Sequence, residues 1–138
     1  MFDSGLIECS LFQYLESLEN AIVSDPTIEN EENYRLLIKA LYKKMKFDRL
    51  VERSMQMSAL YRKTVYPLEW ICRVYLELND SPEESETFAK IDDVILVVTD
   101  QIIDLHPNSG LGHIAKGLKL TKSNKFDEGK LALQHGII

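Results

Sequence analysis

The sequence predicts an all-α protein in which antiparallel helix pairs stack as a right-handed superhelical array of repeats. Three observations predict it. Apolar residues recur at helical spacing, and only 6 glycines and 4 prolines interrupt the 138 residues. No stretch alternates apolar and polar residues around a hairpin turn. The same spacing of apolar and small residues also returns along the chain, with Ile38 and Cys72 34 residues apart.

The elements follow in order. Residues 9–24 form a first helix, because Leu11, Tyr14, Leu15, Leu18, Ala21 and Ile22 make one apolar stripe. Asp25-Pro26 ends it. Asn30 caps a second helix that runs to about Lys43, with Glu31 and Glu32 at its positive end. Lys44-Met45-Lys46 turns the chain into a third helix over 46–61, which carries Phe47, Leu50, Val51, Met57 and Leu60. Pro67 pre-sets the first turn of a fourth helix over 67–79, followed by Glu69. Ser81-Pro82-Glu83-Glu84 reads as a capping box, so a fifth helix over 82–105 buries Ile91, Val94, Ile95, Val98, Ile102 and Leu105. Asn108-Ser109-Gly110-Leu111-Gly112 serves as a turn, and helices over 110–121 and 125–136 complete the chain.

The repeated spacing resembles the tetratricopeptide (TPR) pattern W-x2-L-G-x2-Y…A-x3-F…P. Gly117 falls on its glycine, Leu120 on the tyrosine, Gly129 on the alanine and Leu133 on the phenylalanine, while Pro107 closes the preceding unit. His113 and Lys116 stand at the tryptophan and leucine positions. Upstream, Tyr34-x2-Leu37-Ile38-x2-Leu41 and Leu68-x2-Ile71-Cys72-x2-Tyr75 take the first-helix positions. Tyr14, Leu18, Ala21 and Pro26 have the spacing of a second helix whose first helix is missing. Leu50 takes the small-residue position of its second helix, so that pair should pack less closely, and Ile95 is a further structural position of the pattern. The expected domain is 1–138, made of a half repeat (9–26), a repeat (30–64), a repeat with an insertion near 79–88 (65–107) and a repeat (110–138). Leu131, Leu133, Ile137 and Ile138 end it without a polar cap, which suggests a segment of a longer array or a small protein that pairs with a partner there.

Composition bounds the function. A hydrophobic content of 45% with 28% charged residues is a soluble, core-forming balance. No apolar run approaches the ~20 residues of a membrane span, and the start lacks a basic region followed by an apolar one. Cys9 and Cys72 stand outside any CxxC motif, which suggests free thiols and a cytoplasmic setting, with a nuclear pool open. The net charge of −6 comes in blocks: −8 over 1–34, +7 over 35–63, −8 over 64–104 and +3 over 105–138. Solvated faces account for these blocks more simply than opposed repeat surfaces do.

Candidate chemistry is sparse. His106, His113 and His135 lack the spacing of a metal site, and His113 reads as a packing residue. Asp92, Asp93, Asp100 and Asp104 read as a solvated helix flank. No nucleophile elbow, P-loop or dinucleotide fingerprint occurs, so no catalytic residue, cofactor, metal or small-molecule substrate is expected. A carboxylate clamp would need basic residues on successive first helices; Arg35 and Lys39 supply one, but Ile114 and Leu118 stand at the matching points. Basic residues of 35–63 with Tyr34, Tyr42, Phe47 and Tyr61 could touch RNA by phosphate contact and stacking. Those aromatics fall at core spacing, so direct RNA contact ranks below protein contact.

Two stretches point to a family. Residues 61–75, opening Tyr61-Arg62-Lys63-Thr64-Val65-Tyr66-Pro67-Leu68-Glu69-Trp70-Ile71-Cys72, resemble a segment in the large TPR subunit of the superkiller complex. Asn108-Ser109-Gly110-Leu111-Gly112, Lys116-Gly117-Leu118-Lys119 and Lys125-Phe126-Asp127-Glu128 resemble the repeat that follows it. The resemblance covers about residues 36–136. It implies a non-catalytic scaffold that holds an RNA helicase and WD40 subunits and serves 3′-to-5′ mRNA decay by the cytoplasmic exosome. It carries over no catalytic residue and no individual partner contact. The other reading of the same pattern is a self-contained peptide-binding adaptor of chaperone or transport type. In either case the binding face would be the concave side of helices 29–43, 67–79 and 110–121.

Overall fold

The structure, a computed structural model, describes residues 13–17, 19–20, 31–79 and 86–137. Among them are α1 (Glu31–Lys43), α2 (Phe47–Leu60), α3 (Tyr66–Asn79), α4 (Glu86–Leu105), α5 (Gly110–Lys122) and α6 (Phe126–Ile137). Residues 13–17 and 19–20 are also helical, and no described residue is in a strand. Leu18, Ala21 and Pro26, the Asn30 cap, the Ser81–Glu84 box and the expected start of the fifth helix at 82 lie outside the described residues. The chain divides into two compact units, Met1–Arg62 and Lys63–Ile138.

In the first unit α1 packs on α2. Tyr34, Leu37, Ile38 and Leu41 of α1 are buried, as are Leu50 and Met57 of α2. Leu15, on the helical stretch before α1, is buried as well. The same stretch is tied to α2 by Glu19, which accepts a hydrogen bond from Arg49 and lies 3.6 Å from Arg53. Leu60, expected inward, is exposed at the end of α2.

Ser54 sits in this core, fully buried, and its hydroxyl has no hydrogen-bond partner among the described residues. A buried polar group left unpaired costs about 1–3 kcal/mol. Ser54→Ala is therefore expected to raise stability by about 1 kcal/mol, read as a higher urea midpoint at an unchanged m-value. A lower midpoint would show that the hydroxyl holds something in place.

The turn from α1 to α2 recurs, residue for residue, between α5 and α6. Met45 and Asn124 both take positive φ, 57° and 64°. Lys46 N–H donates to Leu41 O and Met45 N–H to Tyr42 O; Lys125 N–H donates to Leu120 O and Asn124 N–H to Thr121 O. This is the doubly bonded left-handed helix end, in which the last carbonyls are satisfied by the turn itself. In each case a phenylalanine, Phe47 or Phe126, opens the next helix.

The second unit contains α3 to α6. Helix α3 packs on α4 and on α5, α4 packs on α5, and α5 packs most extensively on α6. Ile71, Cys72, Val74 and Tyr75 of α3 and Ile91, Ile95 and Ile102 of α4 are fully buried, with Leu68 and Val98 nearly so. Leu105, expected on the buried side, is 39% exposed at the last residue of α4. Burial pushes the Cys72 thiol up to about 12, with the Glu69 charge adding to the effect, so it packs as a small apolar group.

Glycine sets the α5–α6 distance. A Cβ on Gly117 would lie 2.6 Å from Leu133 Cγ and 2.9 Å from the Gly129 carbonyl oxygen. A Cβ on Gly129 would lie 2.9 Å from the Gly117 carbonyl oxygen and would collide with Thr121 Oγ1. One end of the pair repeats the arrangement, since a Cβ on Gly110 would lie 3.0 Å from Gly136 O. Gly112 faces α4 instead, where a Cβ would meet Ile102 Cγ2 at 2.9 Å. Gly110 and Gly112 are thus first-turn helix residues and not a loop. Ser109 caps the helix by accepting a hydrogen bond from Gly112 N–H at 3.2 Å.

Candidate protein-binding surface

A polar junction centred on Asp92 joins the helix pairs of the second unit. Tyr75 of α3 donates its hydroxyl proton to Asp92 Oδ1 at 2.9 Å, and Lys119 of α5 donates to Asp92 Oδ2 at 2.9 Å. Phe88 stacks on Tyr75 with ring centroids 5.2 Å apart and planes 8° from parallel. Lys122 lies 4.5 Å over the Phe88 ring and donates to Asn79 Oδ1. Asp92, expected as a solvated acid, is therefore a structural anion shared by three helices. Asp100 reaches Lys116 at 3.0 Å from an exposed position, and Asp93 and Asp104 are exposed.

Partial burial pushes the Asp92 carboxyl up, but the hydrogen bonds from Lys119 and Tyr75 and the charges of Lys119 and Lys122 more than offset this and hold it below its ordinary value. Burial and the same hydrogen bond to Asp92 push the Tyr75 hydroxyl up. A carboxyl whose folded value is lowered stabilises above its unfolded value, and that stability is lost as pH falls through the folded value. Asp92→Asn is expected to cost about 1 kcal/mol at pH 7, since Asp92 and Lys119 are both partly exposed. Below about pH 4, the unfolded carboxylate range, the difference from wild type should shrink. Urea titrations of both proteins between pH 2 and 7 check this, and a constant difference across the range would refute it.

His113 is buried, with Nε2 2.7 Å from Pro107 O and its ring edge-on to His135 at 5.5 Å. It is a packing residue that ties α5 to the turn before it. No group of three metal-ligating side chains occurs among the described residues, and no described helix is long and apolar enough to cross a membrane. The aromatics of the basic block pair with one another: Tyr34 is edge-on to Tyr61 and Tyr42 is tilted on Phe47, each at 5.9 Å.

Exposed and partly exposed side chains form stripes at matching positions of the first helices. On α3 the stripe is Glu69, Arg73 and Glu77, with Arg73 4.7 Å over the Trp70 ring. On α5 the matching positions hold Ile114 (which packs against Gly136), Leu118 and the junction residue Lys122, and on α1 they hold Arg35, Lys39 and Lys43. Residues four apart share a helix face, and α3 and α5 lie side by side, with Ser109 Oγ 3.5 Å from Glu69 Oε2. Arg35 is held by Glu31 at 3.1 Å.

No family model matches the chain, and no curated protein matches it. Solved structures do. A crystal structure of MamA aligns with a TM-score of 0.66 and 17% identity, covering 89% of this chain and 64% of that one. A second MamA structure, MSR-1 C2, aligns with a TM-score of 0.63 and 15% identity, covering 95% of this chain and 68% of that one. TTC0263, a thermophilic TPR protein of Thermus thermophilus, aligns with a TM-score of 0.62 and 18% identity, covering 96% of this chain and 69% of that one. The fold is the TPR fold. This chain spans 64% of the length of the first MamA structure.

In TPR register, Gly117, Gly129 and Leu133 meet one another, and Leu37, Leu41, Leu50, Leu68, Ile71, Cys72, Tyr75, Ile95 and Leu120 lie in the interior. Pro107 lies in the exposed turn before α5. Tyr14 departs from the expected buried stripe and is 44% exposed. Its outer side faces a groove that it lines together with Leu36, Lys39, Ala40 and Lys43. The periodicity of the first helix marks the side that meets a neighbour, and the described residues place no neighbour over Tyr14. Nothing in the sequence pattern announces the groove.

Proposed function

We propose that the chain is a non-catalytic protein-interaction scaffold that binds partners on the outward stripes of its first helices α1, α3 and α5. The observation that carries this reading is the side-by-side packing of α3 and α5. It leaves Arg73, Glu77 and Lys122 exposed on neighbouring helices of one unit, while core contacts and the Asp92 junction fix the helices beneath them. A rigid support with variable outward side chains is the physical requirement for a repeat-protein binding face.

The finer assignment is to the large TPR subunit of the superkiller complex, with an RNA helicase and WD40 proteins as partners and cytoplasmic mRNA decay as the setting. It is supported by the likeness of residues 61–75 and of the runs between 108 and 128. The similar structures, two of MamA and one of TTC0263, fit an adaptor that captures peptides equally well. Affinity purification of the tagged chain separates the two. Recovery of a helicase together with WD40 proteins supports the first, and capture of peptides only when their C-terminal carboxylate is free supports the second. Charge reversal at Arg73 and Glu77 should abolish recovery in either case. Recovery that survives the reversal would place binding elsewhere.

A further inference from the structure

The groove beside Tyr14 has a filled counterpart in the second unit. The repeat register that aligns Ile38 with Gly117 aligns Leu36 with Ala115, Ala40 with Lys119 and Lys43 with Lys122. Counting back twelve residues from the closing prolines, Pro26 and Pro107, pairs Tyr14 with Ile95. In the second unit helix α3 lies against these positions, since Lys122 bonds Asn79 and sits over Tyr75, and α3 packs on both α4 and α5. Ile95 and Ala115 are accordingly 0% exposed. At the matching places of the first unit, Tyr14 is 44% and Leu36 38% exposed, and no described residue covers them.

The groove also carries charge without a partner. Arg35 pairs with Glu31, and Arg49 and Arg53 pair with Glu19, whereas Lys39 and Lys43 have no ion-pair partner among the described residues. They stand one turn apart on the groove wall, and Leu36 and Ala40 share that side of α1 at the same interval. We propose that this groove is a seat for one amphipathic helix of a partner protein, apolar on the side that meets Tyr14, Leu36 and Ala40 and carrying carboxylates on the edge that meets Lys39 and Lys43. The seat corresponds to the place that helix α3 takes in the second unit, so the occupant is helical and not extended. Its acidic edge follows from the two lysines. The inference rests on the scaffold reading and names the partner chemistry for α1 alone.

The test is selection of binders from a display library of random 14-residue peptides, using the intact 138-residue chain as bait. Expected winners carry apolar residues at helical spacing flanked by Asp or Glu, become helical on binding, and lose at least tenfold in affinity to both K39E/K43E and Leu36→Gln. Circular dichroism of the two variants confirms that they remain folded. Winners without acidic residues, or unaffected by both variants, overturn the proposal. Winners that instead depend on Arg73 or Glu77 overturn it while leaving the scaffold reading standing, and no winners at all count against both. Self-association of the bait that disappears in Leu36→Gln and K39E/K43E would assign the seat to a second copy of this chain and overturn the partner-helix proposal.

Discussion

Replacing Gly129 with valine is expected to lower the thermal midpoint by roughly 10 °C, the equivalent of about 3 kcal/mol for a chain of this size. The new side chain would be driven into the Thr121 hydroxyl and into backbone behind it. Its Cβ would lie 2.9 Å from Gly117 O and 3.0 Å from Thr121 N, and it would collide with Thr121 Oγ1, which already donates to Gly117 O at 2.8 Å. Neither carbonyl nor amide can step aside without separating the helices along their length. Gly129→Ala meets the same backbone but gains about 1 kcal/mol of helix propensity, so its loss should be smaller. Gln134→Ala, on an exposed position of the same helix, serves as the neutral control. Equal melting of Gly129→Val and the control would mean that α5 and α6 do not approach as closely as the two glycines imply.

A loss of similar size is expected at Tyr75. Its ring is fully buried, stacks on Phe88, lies beneath Lys122 and ends in the hydroxyl that binds Asp92. Truncation of a buried aromatic to alanine costs about 3–5 kcal/mol, because the ring's contacts are lost and the cavity collapses only in part. Tyr75→Phe keeps the ring and removes one hydrogen bond, for about 1 kcal/mol. Urea unfolding of Tyr75→Ala, Tyr75→Phe, Asp92→Asn and the Tyr75→Phe/Asp92→Asn double variant separates packing from polar contributions. Additive losses for Tyr75→Phe and Asp92→Asn would show that the hydroxyl and the carboxylate act independently. A Tyr75→Ala loss below about 1 kcal/mol would rule out the ring as the core of the junction.

Helix type and order are legible in the sequence because a period of 3.6 survives changes of residue identity. Gly117 and Gly129 are legible for a different reason: close approach demands smallness at two places at once, and few residues satisfy it. Gly110 and Gly136 extend the same contact toward one end of the pair, a signal that glycine's commoner role in turns conceals. The Asp92 junction is not legible. An acid on a helix flank looks the same in sequence whether it meets water or a lysine, and Lys119 lies 27 residues away. Tyr14 shows the complementary limit, since periodicity reports which side of a helix is apolar but not whether anything covers it. The residues at 44–46 mark the α1–α2 turn, yet the left-handed backbone at Met45 leaves no mark, because methionine is an unusual residue there and asparagine at 124 is an ordinary one.

The twin joints at Met45 and Asn124 give the molecule a property that neither helix pair has alone. Each joint enters and leaves with the same backbone path and opens on the same aromatic residue, so the connectors are interchangeable parts. A chimera that trades residues 43–47 for 122–126 leaves every cap satisfied. Lineages that lengthen or shorten such a protein by duplication or deletion can therefore cut between these joints and recover a chain that still knows how to turn.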